Sequence, residues 1–117
     1  MQSESRMNIF NDSLEKLLLH GAENSFVIFE NLETNRFVQF GKNNGTLILD
    51  IPFQVLNSNQ EELKLHTLIG KELSFDEISY QVEVTLELAV VFTEKIFKGI
   101  YRLPDDYDIQ VELKLEG

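Results

Sequence analysis

Short apolar runs alternate with polar breaks between Phe26 and Phe53, and this pattern predicts an antiparallel meander of three strands. The strands are predicted at 26–30, 36–40 and 46–51. Asn44-Gly45 suits the turn between the second and third strands, because both residues tolerate the positive φ angles of a tight hairpin. Pro52 ends the third strand, since it has no N–H to donate to a neighbouring strand.

Outside the meander, the chain is predicted to alternate helices with two further strands. Apolar residues at helical spacing predict helices at about 7–20 and 86–102, and the polar residues 1–6 are expected to be loose. Ser58 and Glu61 have the spacing of a capping box, which predicts a short helix from that point. Strict alternation predicts strands at about 78–84 and 109–115, although a rival interpretation extends the first of these to Val91.

This order, αβββαβαβ, predicts an α+β fold in which helices pack on an antiparallel sheet of about five strands. The chain has 117 residues, which suits a single domain covering 1–117 with one core. No internal repeat or interdomain linker interrupts it.

Parity along the meander separates the two faces of its strands, because successive side chains point to opposite faces. The apolar residues Leu47, Leu49 and Ile51 mark the core face. The opposite face then carries four large apolar side chains, namely Phe26, Ile28, Phe37 and Ile48. The later strands offer only polar residues there, so this face is expected to be apolar at one end and polar at the other. Either a helix of the same chain covers it, or it is a binding site for a partner chain or a second copy.

Charge narrows the classes of partner. Ten basic residues stand against twenty acidic ones, for a formal net charge of −10. This excess opposes binding to nucleic acid and to anionic membranes, and favours a basic protein partner. Solubility alone also explains such a charge. The chain has no cysteine, which fits a reducing cytoplasm, and no apolar run long enough for a membrane span or a secretion signal.

No residue pattern indicates catalysis or a cofactor. His20 and His66 have no second histidine or nearby carboxylate at metal-ligand spacing. The acidic run from Asp105 to Asp108 fails as a calcium loop, because Val111 stands where the required glycine would be. We therefore expect no catalytic residues, no metal and no cofactor, and the chain is not expected to be an enzyme.

Three segments together resemble a known family. A leading helix is followed by FVIFENLETNRFVQF and TLILDIP, and later by ELAVVFTEKIFKGIYRLPDDYDIQVEL. Over roughly residues 8–115 this pattern is similar to the small bacterial domains related to type III secretion chaperones, the TY-Chap or YbjN-like group. The resemblance implies a non-enzymatic α+β domain, commonly a homodimer, that binds another polypeptide.

The sequence therefore favours a chaperone-like protein-binding module that holds a partner or a second copy on its sheet or on a helix face. The alternative is an immunity-type inhibitor whose acidic surface blocks a basic toxin. A toxin gene beside this one would favour the inhibitor, whereas a secreted substrate would favour the chaperone-like module.

Overall fold

The computed structural model describes residues 1–115, apart from the side chain of Lys71, and it forms an α+β fold. Its α-helices are α1 Ser3–His20, α2 Asn59–Ile69 and α3 Leu86–Lys95, and α3 continues as a π-helical turn at Ile96–Ile100. Its strands are β1 Phe26–Asn31, β2 Arg36–Asn43, β3 Thr46–Pro52, β4 Ser74–Phe75, β5 Ser79–Val84 and β6 Gln110–Lys114. Short 3₁₀ turns follow β3 and α2, at Phe53–Val55 and Gly70–Glu72.

The predicted α+β class is confirmed, with one strand more than the five expected within residues 1–115. The additional strand, β4, has two residues and pairs with β5. Two residues show no alternation, so a periodicity argument has nothing to detect there. The predicted single domain extends to 117, and its last two residues lie outside the described part of the chain.

The six strands form one antiparallel sheet in the order β4-β5-β3-β2-β1-β6. The predicted meander occupies its centre, and its second turn lies at Asn44-Gly45, where both residues have positive φ. The later strands β5 and β6 attach to opposite sides of the meander, against β3 and β1. The polar-faced strands therefore flank the apolar-faced ones.

All three helices pack on one face of the sheet and bury it. Phe10 of α1 contacts Phe29 of β1 edge to face, with ring centroids 4.9 Å apart, and it stacks on Phe97 of the π-helical turn at 6.3 Å. In α2 the ring of His66 meets Tyr80 of β5, which points to the same face. The shortest dimension of the molecule is 22 Å, which holds one sheet and one layer of helices.

The first helix begins at Ser3, four residues before its predicted start. Residues 3–6, which were expected to be loose, are therefore helical. The cause is Arg6, which is buried and forms a salt bridge to Glu94 of α3 at 2.9 Å. Its guanidinium also lies over the ring of Tyr107, 3.7 Å from the centroid. This polar cluster fixes the first turn of α1 against the C-terminal half of the chain.

Side-chain caps set the starts of the other two helices. The Ser58 hydroxyl accepts from the Glu61 N–H at 3.3 Å, as the capping box predicts. The Glu61 carboxylate accepts from the Asn57 N–H and pairs with Arg36, instead of turning back to Ser58. Thr85 caps α3 by accepting from the Leu88 N–H at 3.3 Å. The helix therefore begins at 86, and the rival prediction of a strand reaching 91 is wrong.

Candidate functional site: the outer face of the sheet

The sheet face opposite the helices, called the outer face below, carries the four residues predicted to share it. Strand register places Phe26 beside Gly41 and Gly41 beside Ile48, in one row across β1, β2 and β3. Ile28 and Phe37 lie diagonally across the β1–β2 pair, because Ile28 faces Gln39. The period-2 argument therefore assigns the face correctly for all four apolar residues.

Burial separates the two faces of the meander sharply. The inward-facing side chains of Val27, Phe29, Val38 and Phe40 are fully buried, whereas Phe26, Ile28, Phe37 and Ile48 are only half-buried. Within residues 1–115 no helix covers the outer face, since α1, α2 and α3 all lie on the other side. Of the two alternatives, cover by a helix of this chain is therefore excluded for the described residues.

A first hollow lies over the row formed by Phe26, Gly41 and Ile48. It has a volume of about 690 Å³ and extends toward β5, where Gln81 and Glu83 form part of its wall. Because glycine has no side chain, Gly41 leaves an open space between Phe26 and Ile48. A Cβ built on Gly41 would meet only the Ser25 carbonyl oxygen, at 3.9 Å, so a side chain can start there without a clash at its Cβ.

A second, smaller hollow of about 220 Å³ lies at the other end of the meander. Its apolar lining residues are Ile28, Phe37 and Val111, and its polar ones are Glu30, Gln110 and Glu112. The predicted site thus consists of two separate hollows, each containing two of the four predicted residues.

Polar strands border the apolar centre on both sides, and this corrects the expected division into an apolar end and a polar end. Gln81 and Glu83 of β5 lie beside β3, while Glu112 and Lys114 of β6 lie beside β1. The arrangement follows from the strand order, which local periodicity does not determine. An apolar centre with a polar rim is the usual anatomy of a protein–protein interface.

The outer face is acidic. Among the described strand residues, register places four carboxylates on it, with one ammonium group from Lys114 against them. The carboxylates belong to Glu30, Asp50, Glu83 and Glu112. Asp50 accepts a hydrogen bond from Gln39 at 3.2 Å, and both side chains lie between the two hollows. The electrostatics of this surface therefore suit a ligand that brings positive charge.

The remaining candidate chemistry is accounted for by local contacts. His66 is exposed and its ring packs against Tyr80 at 5.2 Å, and His20 lies in the last turn of α1. Hydrogen bonding by the Lys98 ammonium, 2.7 Å away, lowers the pKa of Asp105 below its ordinary value. Among residues 1–115 no group of three or more histidine, aspartate or glutamate side chains could hold a metal ion. No helix in that range is long and apolar enough to cross a membrane.

No family model, curated protein or solved structure matches this chain. The resemblance to domains related to type III secretion chaperones therefore remains a prediction carried by the residues of this sequence.

Sequence reasoning missed Gly41, whose small size creates the larger hollow. Its signal was present, because an isolated glycine inside a strand pattern often marks a close approach of another group. Sequence reasoning also treated the acidic residues singly, as solvated positions. Parity places Glu30 and Asp50 on the same face as Ile28 and Ile48, but only the strand order shows that Glu83 and Glu112 flank them on opposite sides.

Proposed function

We propose that this chain is a non-enzymatic, chaperone-like protein-binding module that holds a polypeptide with basic and apolar side chains on its outer face. The observation that carries the proposal is the open face of the sheet, where half-buried apolar residues line two hollows and carboxylates lie between and beside them. The family resemblance implies the same kind of activity and agrees with it.

The available apolar area limits how tightly such a partner binds. If docking removes about 200 Å² of apolar surface from water, the gross gain is roughly 5 kcal/mol. A micromolar complex needs about 8 kcal/mol net, after the cost of association has been met. The apolar residues alone are therefore insufficient, and polar contacts with the acidic rim have to contribute to a micromolar complex.

The charges favour a different, basic polypeptide over a second copy. Two copies meeting through their outer faces would oppose four carboxylates with four others, while Lys114 is the one ammonium group that register places there among the described strand residues. Like charges facing one another across an interface cost several kcal/mol. We therefore place the homodimer implied by the family resemblance second, and a basic partner first.

Nucleic acids and anionic membrane surfaces are poor partners for this face, because phosphates would meet carboxylates. An immunity-type inhibitor remains the second candidate function, and the same acidic rim favours it. The two functions differ in their partner: the inhibitor blocks a basic toxin, whereas the chaperone-like module carries a polypeptide without inactivating it.

The test is a titration with the partner captured from the native cell and then purified. Phe37→Asp removes apolar area without removing acidity, and Gly41→Leu fills the larger hollow. We expect each to weaken binding at least tenfold, which is about 1.4 kcal/mol. Leu19→Asp changes an exposed leucine of α1, outside both hollows, and serves as the control, which should bind within twofold of wild type.

Salt provides a second readout of the same titration. Raising the ionic strength should weaken the complex, chiefly through slower association, because the proposed attraction is between acidic and basic groups. Equal losses for Leu19→Asp and Phe37→Asp would show that the partner binds elsewhere. Tight binding of DNA by the wild-type protein would contradict the assigned class of partner.

A further inference from the structure

A second open groove lies in the helical layer, between α2 and the end of α3, and is called the helix groove below. It has a volume of about 690 Å³. One side comes from α2 and the other from α3 and the π-helical turn. Its lining residues are Leu63, Lys64, Thr67, Leu68, Glu94, Lys95, Lys98, Gly99 and Ile100.

The floor of the helix groove is apolar and accessible. Leu63 is 67% exposed, and Leu68 and Ile100 also contribute apolar lining. A Cβ built on Gly99 would have no atom within 4 Å, so the absence of a side chain keeps this part of the groove open. Gly99 lies within the π-helical turn, and such turns often occur at functional sites.

The charge around the helix groove is opposite to that of the chain as a whole. Three of the ten basic residues line it, namely Lys64, Lys95 and Lys98. Lys98 pairs with Asp105 at 2.7 Å, on the surface. In the part of the chain that the structure describes, neither Lys64 nor Lys95 has a carboxylate within 4.0 Å.

The one carboxylate that lines the groove is already engaged. Both oxygens of Glu94 accept hydrogen bonds from Arg6, at 2.9–3.1 Å, and Oε1 also accepts from the Tyr107 hydroxyl at 2.8 Å. Glu94 therefore does not neutralise the lysines. Within residues 1–115 the groove thus presents two ammonium groups without an ion-pair partner beside its apolar lining, in a protein of net charge −10.

We propose that the helix groove binds an acidic amphipathic helix of a partner polypeptide. An apolar groove between two helices accepts a third helix through residues spaced at i, i+3 or i+4, and i+7. Helix α2 has 11 residues and is about 16 Å long at 1.5 Å per residue, so it can support about three turns. Carboxylates flanking the apolar stripe of the incoming helix would pair with Lys64 and Lys95.

The open shape of the groove favours a helix over a small amphiphile. A small-molecule site generally encloses most of its ligand, whereas this groove is a surface channel between two helices. The negative charge elsewhere on the chain does not prevent binding, because at physiological ionic strength charges more than about 8 Å apart are largely screened. The proposal is independent of the outer face, which has the opposite charge and lies on the other side of the sheet.

The test uses a synthetic 14-residue peptide with leucines at helical spacing and glutamates elsewhere. The control is the same peptide with lysine in place of each glutamate. Methyl NMR spectra of the whole chain should shift at Leu63, Leu68 and Ile100 when the acidic peptide is added. The lysine peptide should bind there at least tenfold more weakly.

Variants of the chain complete the test. The double variant Lys64→Glu with Lys95→Glu should bind the acidic peptide at least tenfold more weakly than the wild type does. Gly99→Leu should lower the affinity by a similar factor, because its side chain occupies part of the groove. Lys16→Glu reverses an exposed lysine of α1 outside the groove and should change the affinity less than twofold. Thermal unfolding of each variant checks that it remains folded.

Three results would overturn the proposal. The first is equal binding of the acidic and basic peptides, and the second is equal weakening by Lys16→Glu and the double variant. The third is a set of methyl shifts produced by laurate but not by the acidic peptide, which would assign the groove to a small anionic amphiphile.

Discussion

Phe97→Ala should lower the free energy of unfolding by about 3–5 kcal/mol, the usual cost of truncating a buried phenylalanine. Phe97 is fully buried at the start of the π-helical turn. Its ring stacks on Phe10 and contacts Tyr101 and Tyr107, with centroids 5.6 and 5.0 Å away. Truncation would leave a cavity at the point where α1, α3 and the C-terminal segment meet. Urea denaturation of the two proteins measures the difference.

Phe92→Ala is the matched control for this measurement. The apolar spacing of α3 predicts both Phe92 and Ile96 in the core, and the structure buries Ile96 completely but leaves Phe92 half-buried. A half-buried ring gives up less transfer free energy, so we expect a cost of about 1–2 kcal/mol. Equal costs at 92 and 97 would mean that the helical phase differs from the one described.

Glu94→Ala should destabilise the protein by about 3–5 kcal/mol, because it leaves the buried Arg6 guanidinium without its carboxylate. Three hydrogen bonds of 2.9–3.1 Å join the two side chains, and the exposed fraction of the Arg6 side chain is 0%. Burial raises the pKa of Tyr107 above its ordinary value, so its hydroxyl stays protonated and donates to Glu94. The substitution therefore breaks a connected network.

Glu87→Ala removes an exposed acid from the first turn of the same helix and should change stability by no more than about 0.5 kcal/mol. The double variant Arg6→Met with Glu94→Met replaces the pair with apolar side chains and should regain much of the loss. If Glu94→Ala costs as little as Glu87→Ala, the guanidinium reaches water and is not held as described.

The meander could be predicted because its information is local. Alternation of apolar residues fixes the two faces, and Asn44-Gly45 fixes one turn, so strand assignment and parity agree with the structure. Strand order is different, because it depends on which distant strands pair. Nothing in the local pattern of β5 or β6 shows that they border the meander on opposite sides.

Other features depend on contacts between residues far apart in the sequence. The early start of α1 depends on Arg6, whose partner Glu94 is 88 residues away. Helical spacing alone predicts Phe92 in the core. Its half-burial depends on how the helices pack together as a layer, which the spacing does not show. At the outer face, parity identifies Ile28 and its three apolar neighbours, but only the strand register shows that Gly41 separates Phe26 from Ile48.

The most direct measurement of the central claim, an open and partner-binding outer face, compares Ile28→Lys with Phe29→Lys. These neighbours in β1 point to opposite faces, and a lysine at 28 would lie beside Glu112 without like-charge repulsion. We predict that the free energy of unfolding of Ile28→Lys lies within about 1 kcal/mol of the wild-type value, and that this variant no longer binds the basic partner. Phe29→Lys places a charge at a fully buried site, and we predict that it does not fold. If Ile28→Lys also fails to fold, or keeps full affinity for the partner, the outer face is not the binding surface.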